Sequence, residues 1–305
     1  MATMSFPAPT DNRHGFTALA CPACDGSIGT LVGSSSLRCL RCERIYPFDR
    51  SDWFYSFRAA APAQDRSLLS DQEPIVNPAM TSFSVGIVAA GLRRAIKACD
   101  PNTVLDIGCG SGWYSFSLRD CYTTYIGLEP SDIPQDRRLC EAPPRNVLLV
   151  HNDPVKPLPV ADASIEMALF LASYDHIPNR RGMLEEVWRV LRPGGFILIT
   201  MTNYGFWAKR LLNVLSGQQL AKAEHDHFCV HDPRTLEEEV LEFTGAKLVR
   251  CDADDIYLPN SRLRLLYRSQ FLLGIFNRGL RFLVHDVLAC SNSGSTMTLV
   301  FQKPR

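Results

Sequence analysis

The 305-residue chain carries 32 Lys+Arg against 32 Asp+Glu, 46% hydrophobic residues and 11 cysteines. Zero formal net charge gives no chain-wide attraction to nucleic acid or an anionic membrane, and this balance of apolar and charged residues excludes a disordered or collagenous chain. At roughly 150 residues per domain the length fits one large domain with an appendage, no stretch approaches the ~18 uninterrupted apolar residues of a spanning helix, and the N-terminal residues lack a cationic start leading to an apolar core, so a cytoplasmic protein with reduced thiols is expected.

In chain order, the first feature is a pair of C-x-x-C motifs, Cys21 with Cys24 and Cys39 with Cys42, separated by fourteen residues. Two tight knuckles at this separation turn four thiolates onto one ion, the pattern of a tetrahedral zinc site; the alternative is four unrelated reduced thiols. No His or open ligand position accompanies them. The expected role of the Zn2+ is therefore structural, contributing folding energy to a segment too small for its own core, and chelation is expected to unfold this segment alone. Gly26, Gly29 and Gly33 suit the turns, while the stretch from Ile28 to Val32 and Leu37 can pair as strands.

This module is assigned to residues 1–58, a breaker-rich linker to 59–78, and a second domain to 79–305. Apolar residues recur at helical spacing from Met80 to Ile96, ahead of Pro101. A strand is predicted at 103–107 (TVLDI), then a glycine loop and a helix. A helix from Met183 to Leu191 stops at Pro193-Gly194-Gly195 and leads into FILIT. A helix opened by Asp232-Pro233 and ended by Gly245, with strands at 246–252 and 296–302, completes the pattern.

Asp106, Gly108, Gly110 and Gly112 form a D-x-G-x-G-x-G run between the first strand and its helix. A dinucleotide fingerprint reads G-x-G-x-x-G; here the third glycine comes one position early. The run resembles the first motif of class I S-adenosylmethionine-dependent methyltransferases. That resemblance implies that the glycine turn lies under the methionine part of S-adenosylmethionine, with Asp106 in the same pocket. Later landmarks keep the family's order: a strand at 123–128 ended by Glu129, implied to accept both ribose hydroxyls; a strand at 146–151 followed by Asp153, preferred to Asn152, implied to meet the adenine; ADASIEMALF at 161–170, resembling the fourth strand with Ile165 and Glu166 in place of the usual Phe and Asp; and R-V-L-R-P-G-G, typical of the quinone-methyltransferase-like branch. The implied fold is α/β, a doubly wound, mostly parallel seven-stranded Rossmann-like sheet with an antiparallel edge pair and a small N-terminal zinc ribbon.

The cysteine module (C-P-x-C-x-G, then L-x-C-x-x-C-x-x-x-Y-P) is similar to zinc ribbons in certain bacterial rRNA guanine methyltransferases and in the zinc-bearing activator subunit of tRNA and release-factor methyltransferases. It departs from the rRNA enzymes, where a His usually supplies one ligand. Arg38, Arg41 and Arg44 are offset by Asp25, Glu43, Asp49 and Asp52, which weakens an RNA-binding reading.

For the acceptor, two insertions are expected as helical lids, at 202–231 and 257–292. The second carries Arg262, Arg264, Arg268, Arg278 and Arg281 among apolar residues. It reads as a lid over an apolar or anionic substrate, as a basic amphipathic helix giving peripheral membrane or partner contact through 257–285, or as a plain helical cap. His227, in a His225-Asp226-His227 cluster near His231, is a candidate general base, with metal binding and an ordinary polar loop as the alternatives; His176 is a candidate substrate or catalytic contact. No [D/N]-P-P-[Y/F] tetrapeptide follows the fourth strand, which disfavours methylation of exocyclic base amines, and no Pro-Cys or Thr-Cys nucleophile motif supports pyrimidine C5 chemistry. The expected function is methyl transfer from S-adenosylmethionine to a small or medium-sized acceptor, foremost O-methylation in a biosynthetic pathway. The alternatives are an RNA methyltransferase using the ribbon for RNA, and a cofactor-binding protein with altered or lost catalysis whose ribbon binds a protein.

Overall fold

The computed structural model describes residues 17–30, 36–58, 91–133, 139, 142–153, 156–205, 228–255 and 296–305. The expected linker at 59–78, His225 and His227, and all of the expected lids except 202–205 and 228–231 lie outside the described residues. Residues 1–69, 100–169 and 186–195 make up one compact unit, and 70–99, 170–185 and 196–305 the other.

In chain order the elements are β1 (Ile28–Thr30), β2 (Leu37–Cys39), β3 (Ile45–Tyr46), β4 (Phe48–Asp49), β5 (Phe54–Ser56), helix α1 over 91–99, β6 (Thr103–Ile107), α2 (Trp113–Ser117), β7 (Thr124–Glu129), β8 (Val147–His151), β9 (Ile165–Leu171), a 3-10 turn (Tyr174–His176), α3 (Arg180–Val190), β10 (Leu191–Thr202), α4 (Pro233–Thr244), β11 (Lys247–Asp255) and β12 (Thr296–Gln302).

In the first unit, β1, β2 and β3 form a small antiparallel sheet with Ile28 opposite Cys39 and Leu37 opposite Tyr46. A larger sheet has the order β4-β5-β8-β7-β6-β9. Strands β5, β8, β7, β6 and β9 are parallel neighbours throughout, with Asp106 opposite Gly127 and Glu129 opposite His151. Every residue of β7 and β8 is buried, as expected of parallel strands covered on both faces, which read as continuous apolar runs rather than alternating ones. The chain steps outward from β6 through β7 to β8, then returns to β9 on the other side of β6. That reversal is the switch point of a doubly wound sheet, where ligands bind beyond the strand C-termini.

In the second unit, β12 lies antiparallel between β10 and β11, pairing Phe196 with Gln302 and Leu248 with Phe301. The antiparallel edge predicted from the sequence is thus present. Asp232 caps α4, accepting from Thr235 N at 2.9 Å, while the Thr235 side chain accepts in return from Asp232 N at 3.0 Å. Gly245 ends the helix at φ 66, a left-handed conformation that glycine adopts without steric cost.

Strands β6 to β12 account for the seven predicted, but β4 and β5 add two more to the larger sheet. The run Trp53 to Phe57 is too short to declare a strand by itself; its partner β8 decides its conformation, pairing Tyr55 with Val150 and Ser56 with His151. A second seam joins the cysteine-bearing segment to the same unit, with Ala20 N donating to Pro159 O at 3.0 Å and Ala161 N to Ala18 O at 2.8 Å. Chelation is therefore no longer expected to affect the cysteine module alone, because that module is hydrogen-bonded to the larger sheet. β9 begins at Ile165 rather than 161, since Ala163 takes a positive φ of 49 and Ser164 Oγ donates to Ala161 O in a turn. Among the described residues no helix is long and apolar enough to cross a membrane.

Candidate active site and metal centre

Strand β6 delivers the chain into the glycine loop. Gly108, Gly110 and Gly112 all have positive φ, at 72, 55 and 81, conformations that cost little only without a Cβ. The loop is anchored where Gly108 N and Cys109 N donate to Leu128 O, at 2.8 and 3.0 Å. A Cβ on Gly112 would lie 2.8 Å from the Leu149 side chain, whereas one on Gly110 would meet nothing within 4 Å. Gly112 thus serves packing, and Gly110 faces the open space a ligand can enter.

Glu129, buried at the end of β7, accepts from Gly110 N at 2.9 Å through one carboxylate oxygen and from Ser131 N at 2.8 Å through the other. Each oxygen keeps a lone pair for a further donor. Asp106 is fully buried; one of its oxygens accepts from Tyr125 Oη and the other has no protein partner. Burial raises the Asp106 carboxyl from 3.8 to about 7, with Glu129 adding to the rise and the Tyr125 hydrogen bond opposing it. An orphaned buried acceptor of this kind is suited to a cationic or hydrogen-bond-donating ligand group. Burial, with the Asp106 and Glu129 carboxylates, also holds the Cys109 thiol well above its usual value, so it is not a nucleophile here.

The raised Asp106 value has a consequence for stability. The native state keeps a proton that the unfolded chain releases, so this group's contribution is fully present below 3.8 and is lost as pH rises through about 7. Asp106→Asn removes the titration. The stability of the variant relative to the natural protein is expected to rise by roughly 2–3 kcal/mol between about pH 5 and about pH 8, as measured by denaturant unfolding without cofactor. A difference that is flat or falls with pH would count against the assignment.

At the end of β8, Asn152 is buried and its side-chain oxygen has no hydrogen-bond partner, while Asp153 is less buried and lies 3.9 Å from Lys156 Nζ. Asp153, preferred from the sequence, is thus paired with Lys156, and the orphaned acceptor beside it is Asn152.

In the second unit, His176 closes the 3-10 turn after β9, half-exposed, with Nε2 3.9 Å from Asp175 Oδ1. Close by in the chain, Tyr174 Oη and Arg180 Nε each donate to Glu239 Oε1 at 2.7 Å, and His231 Nε2 lies 3.3 Å from Glu239 Oε2. Burial works to raise the Glu239 carboxyl, but the bonds from His231, Arg180 and Tyr174 prevail and lower it to about 2. Glu239 stays ionised, with Tyr174, Arg180 and His231 gathered around its carboxylate.

The four cysteine sulphurs, Cys21, Cys24, Cys39 and Cys42, all lie within 4.8 Å of one another. Cys21 and Cys42 are 3.6 Å apart and Cys24 and Cys39 3.5 Å, too far for disulfides and near the ~3.8 Å edge of a tetrahedron with metal–sulphur bonds of about 2.3 Å. The two knuckles share one geometry. Cys21 N donates to Gly26 O and Asp25 N to Cys21 O, while Cys39 N donates to Arg44 O and Glu43 N to Cys39 O; Asp25 and Glu43 both take positive φ, 57 and 63. Arg41 N and Cys42 N donate to Cys39 Sγ, both at 3.4 Å. A Cβ on Gly26 would lie 2.6 Å from Arg41 Cβ, so the close approach of the knuckles demands glycine there. An all-sulphur tetrahedral donor set fits structural zinc.

A family model for a methyltransferase domain matches residues 85–249, more than half of the chain. The chain belongs to this methyltransferase family. Similar proteins include an uncharacterised methyltransferase of Mycobacteroides abscessus, 33% identical over 105 residues covering 33% of this chain and 39% of that one. A probable S-adenosylmethionine-dependent methyltransferase of Mycolicibacterium smegmatis is 26% identical over 164 residues, 53% of this chain and 63% of that one. A malonyl-[acyl-carrier protein] O-methyltransferase of Hahella chejuensis is 27% identical over 200 residues, 57% of this chain and 62% of that one. The chain thus spans between about two-fifths and two-thirds of the length of these relatives.

Within the methyltransferase domain, the structure brings Asp106, Gly108, Gly110 and Glu129 together at adjoining ends of β6 and β7, with Gly112 one turn beyond. It does the same for the four cysteines, which lie N-terminal to the matched range. Glu239 is missing from the sequence reading. The available signal is its place on the buried face of α4 with Leu236 and Val240, three before and one after it, where an acid requires partners.

Proposed function

We propose that this protein transfers the methyl group of S-adenosylmethionine to a small or medium-sized acceptor, most directly an oxygen. The observation that carries this reading is the glycine loop, with open space at Gly110 and tied to Glu129, beside the orphaned oxygen of Asp106. When bound, the cofactor supplies an electrophilic methyl group on a sulfonium. Asp106 would take its ammonium group, Glu129 its ribose hydroxyls, and Asn152 or Asp153 the adenine, while the loop backbone lies beneath the methionine part. The protein's remaining tasks are to align the acceptor, exclude water and take a proton from a hydroxyl if one is methylated. His176, half-exposed at the end of β9, is the base we assign to that last task within the described residues; His227 is the alternative.

The Hahella relative, an O-methyltransferase by name, supports oxygen as the acceptor atom. In the ribbon, Arg38 pairs with Glu43 at 2.7 Å and Arg41 donates to Cys24 O at 2.9 Å. These arginines are engaged internally, which favours a small acceptor over RNA. The cysteines Cys21, Cys24, Cys39 and Cys42 would hold a structural zinc ion.

Calorimetry with S-adenosylhomocysteine tests the cofactor reading: one site per chain is expected, and absence of binding would refute it. Incubation with S-adenosylmethionine labelled in its methyl group, offered small hydroxyl and carboxyl compounds or total RNA, tests the acceptor. Label appearing in RNA would overturn the small-acceptor reading.

A further inference from the structure

The residues around Glu129 come from an unexpected part of the chain. Glu129 pairs across the sheet with His151, and His151 pairs in turn with Ser56 of β5. The buried His151 ring stacks on Phe54 with centroids 4.2 Å apart. Its Nε2 lies 3.1 Å from the buried Asp52 carboxylate and its Nδ1 2.9 Å from Arg58 Nη2. The same Nδ1 lies 3.1 Å from Glu129 O, so the ring sits between the Asp52 carboxylate on one side and the Arg58 guanidinium and the Glu129 backbone on the other. Arg58 also donates to Pro130 O at 2.5 Å and, through Nη1, to Asp132 Oδ1 at 2.6 Å. One guanidinium thereby grips both the residue after Glu129 and the one after Ser131, whose N–H holds Glu129 in place.

Two further features show that this grip is built. Trp53, next to Asp52, takes a positive φ of 69, a costly conformation for an aromatic residue. The Asp49 carbonyl accepting from Trp53 N and the Asp52 carboxylate accepting from Phe54 N maintain it, and the turn sets Asp52 against His151. The grip also reaches the cysteines. Tyr46 Oη lies 2.9 Å from Cys21 Sγ, the Tyr46 ring stacks on Phe57 at 4.0 Å, and Phe57 N donates to His151 O at 2.9 Å.

We infer that Arg58, held by His151 and Asp52, is a positioning residue for the Glu129–Ser131 turn, and that the four-cysteine module thereby controls affinity for the cofactor's ribose. This rests on the cofactor reading above. In this view the module is an internal part of the cofactor site.

The test is calorimetry of S-adenosylhomocysteine on the full metal-loaded chain. Arg58→Ala, which removes the charge-assisted bonds to Pro130 O and Asp132, is expected to weaken binding about tenfold or more, with zinc content unchanged. Arg58→Lys, which keeps a charge but not the fork, is expected to recover part of the loss. In methyl transfer the Arg58→Ala defect should fall on the KM for S-adenosylmethionine and leave kcat nearly unchanged. Removing the metal from the natural protein is expected to weaken binding in the same way. Equal affinity of Arg58→Ala and the natural protein, or equal loss in the Ala and Lys variants, would overturn this inference alone. Failure of the natural protein to bind S-adenosylhomocysteine would overturn the cofactor reading and this inference with it.

Discussion

Glu129→Ala is expected to reduce affinity for S-adenosylhomocysteine by roughly a hundredfold or more. Two ribose hydroxyls donating to an ionised acceptor contribute about 1.5–3 kcal/mol each, and 1.4 kcal/mol is a factor of ten. The substitution also releases Gly110 N and Ser131 N, the two backbone donors that Glu129 holds at 2.9 and 2.8 Å, so the glycine loop loses its tether. Glu129→Gln is not expected to restore binding. Both carboxylate oxygens face backbone N–H groups, and an amide would set its own NH2 against one of them. Calorimetry on the two variants, with melting temperatures as the control for folding, checks this. Near-natural affinity in Glu129→Gln would show that only one carboxylate oxygen matters, and near-natural affinity in Glu129→Ala would remove Glu129 from the site.

Cys39→Ser is expected to abolish metal binding and to cost more stability than any other substitution considered. Cys39 is fully buried, its sulphur sits 3.5 Å from Cys24 Sγ, and Arg41 N and Cys42 N donate to it. A serine hydroxyl does not ionise under conditions where a thiol does, so the fourth ligand is lost. Structural zinc supplies on the order of 10–16 kcal/mol of apparent binding free energy in small cysteine-rich folds, far beyond what the small core of Ile28, Leu37 and Tyr46 can replace. Elemental analysis should fall from one zinc per chain towards none. Because β5 is hydrogen-bonded to β8 and Ala18 and Ala20 to the 159–161 stretch, the loss is expected to reach the sheet edge, and amide exchange in β8 should accelerate. A variant that keeps one equivalent of zinc, or leaves the exchange of β8 unchanged, would contradict this account.

The parts of the fold legible in the sequence are those governed by local chemistry. The opening of α4 at Asp232-Pro233 and its left-handed end at Gly245 were readable from residue type, because a short polar side chain and a missing Cβ have their effect within one helical turn. The glycine loop was readable for the same reason, and its three positive φ angles explain the glycines at 108, 110 and 112. The choice between Asn152 and Asp153 was not readable, since both are acceptors and only the burial of Asn152, with its orphaned oxygen, distinguishes them. Glu239 was hidden for a similar reason: its partners Tyr174 and Arg180 are distant in sequence.

By itself the sequence determined the strands and helices from β6 onward, the glycine loop and the clustering of four cysteines, because each is written in residue types at short spacing. Only the tertiary structure decided where the N-terminal segment goes. A strand as short as Phe54–Ser56 has no conformation of its own in solution, since its hydrogen bonds and its buried rings exist only once β8 is alongside. That pairing carries Asp52 and Arg58 to His151 and the Glu129 turn, and it joins the cysteine ribbon to the methyltransferase sheet.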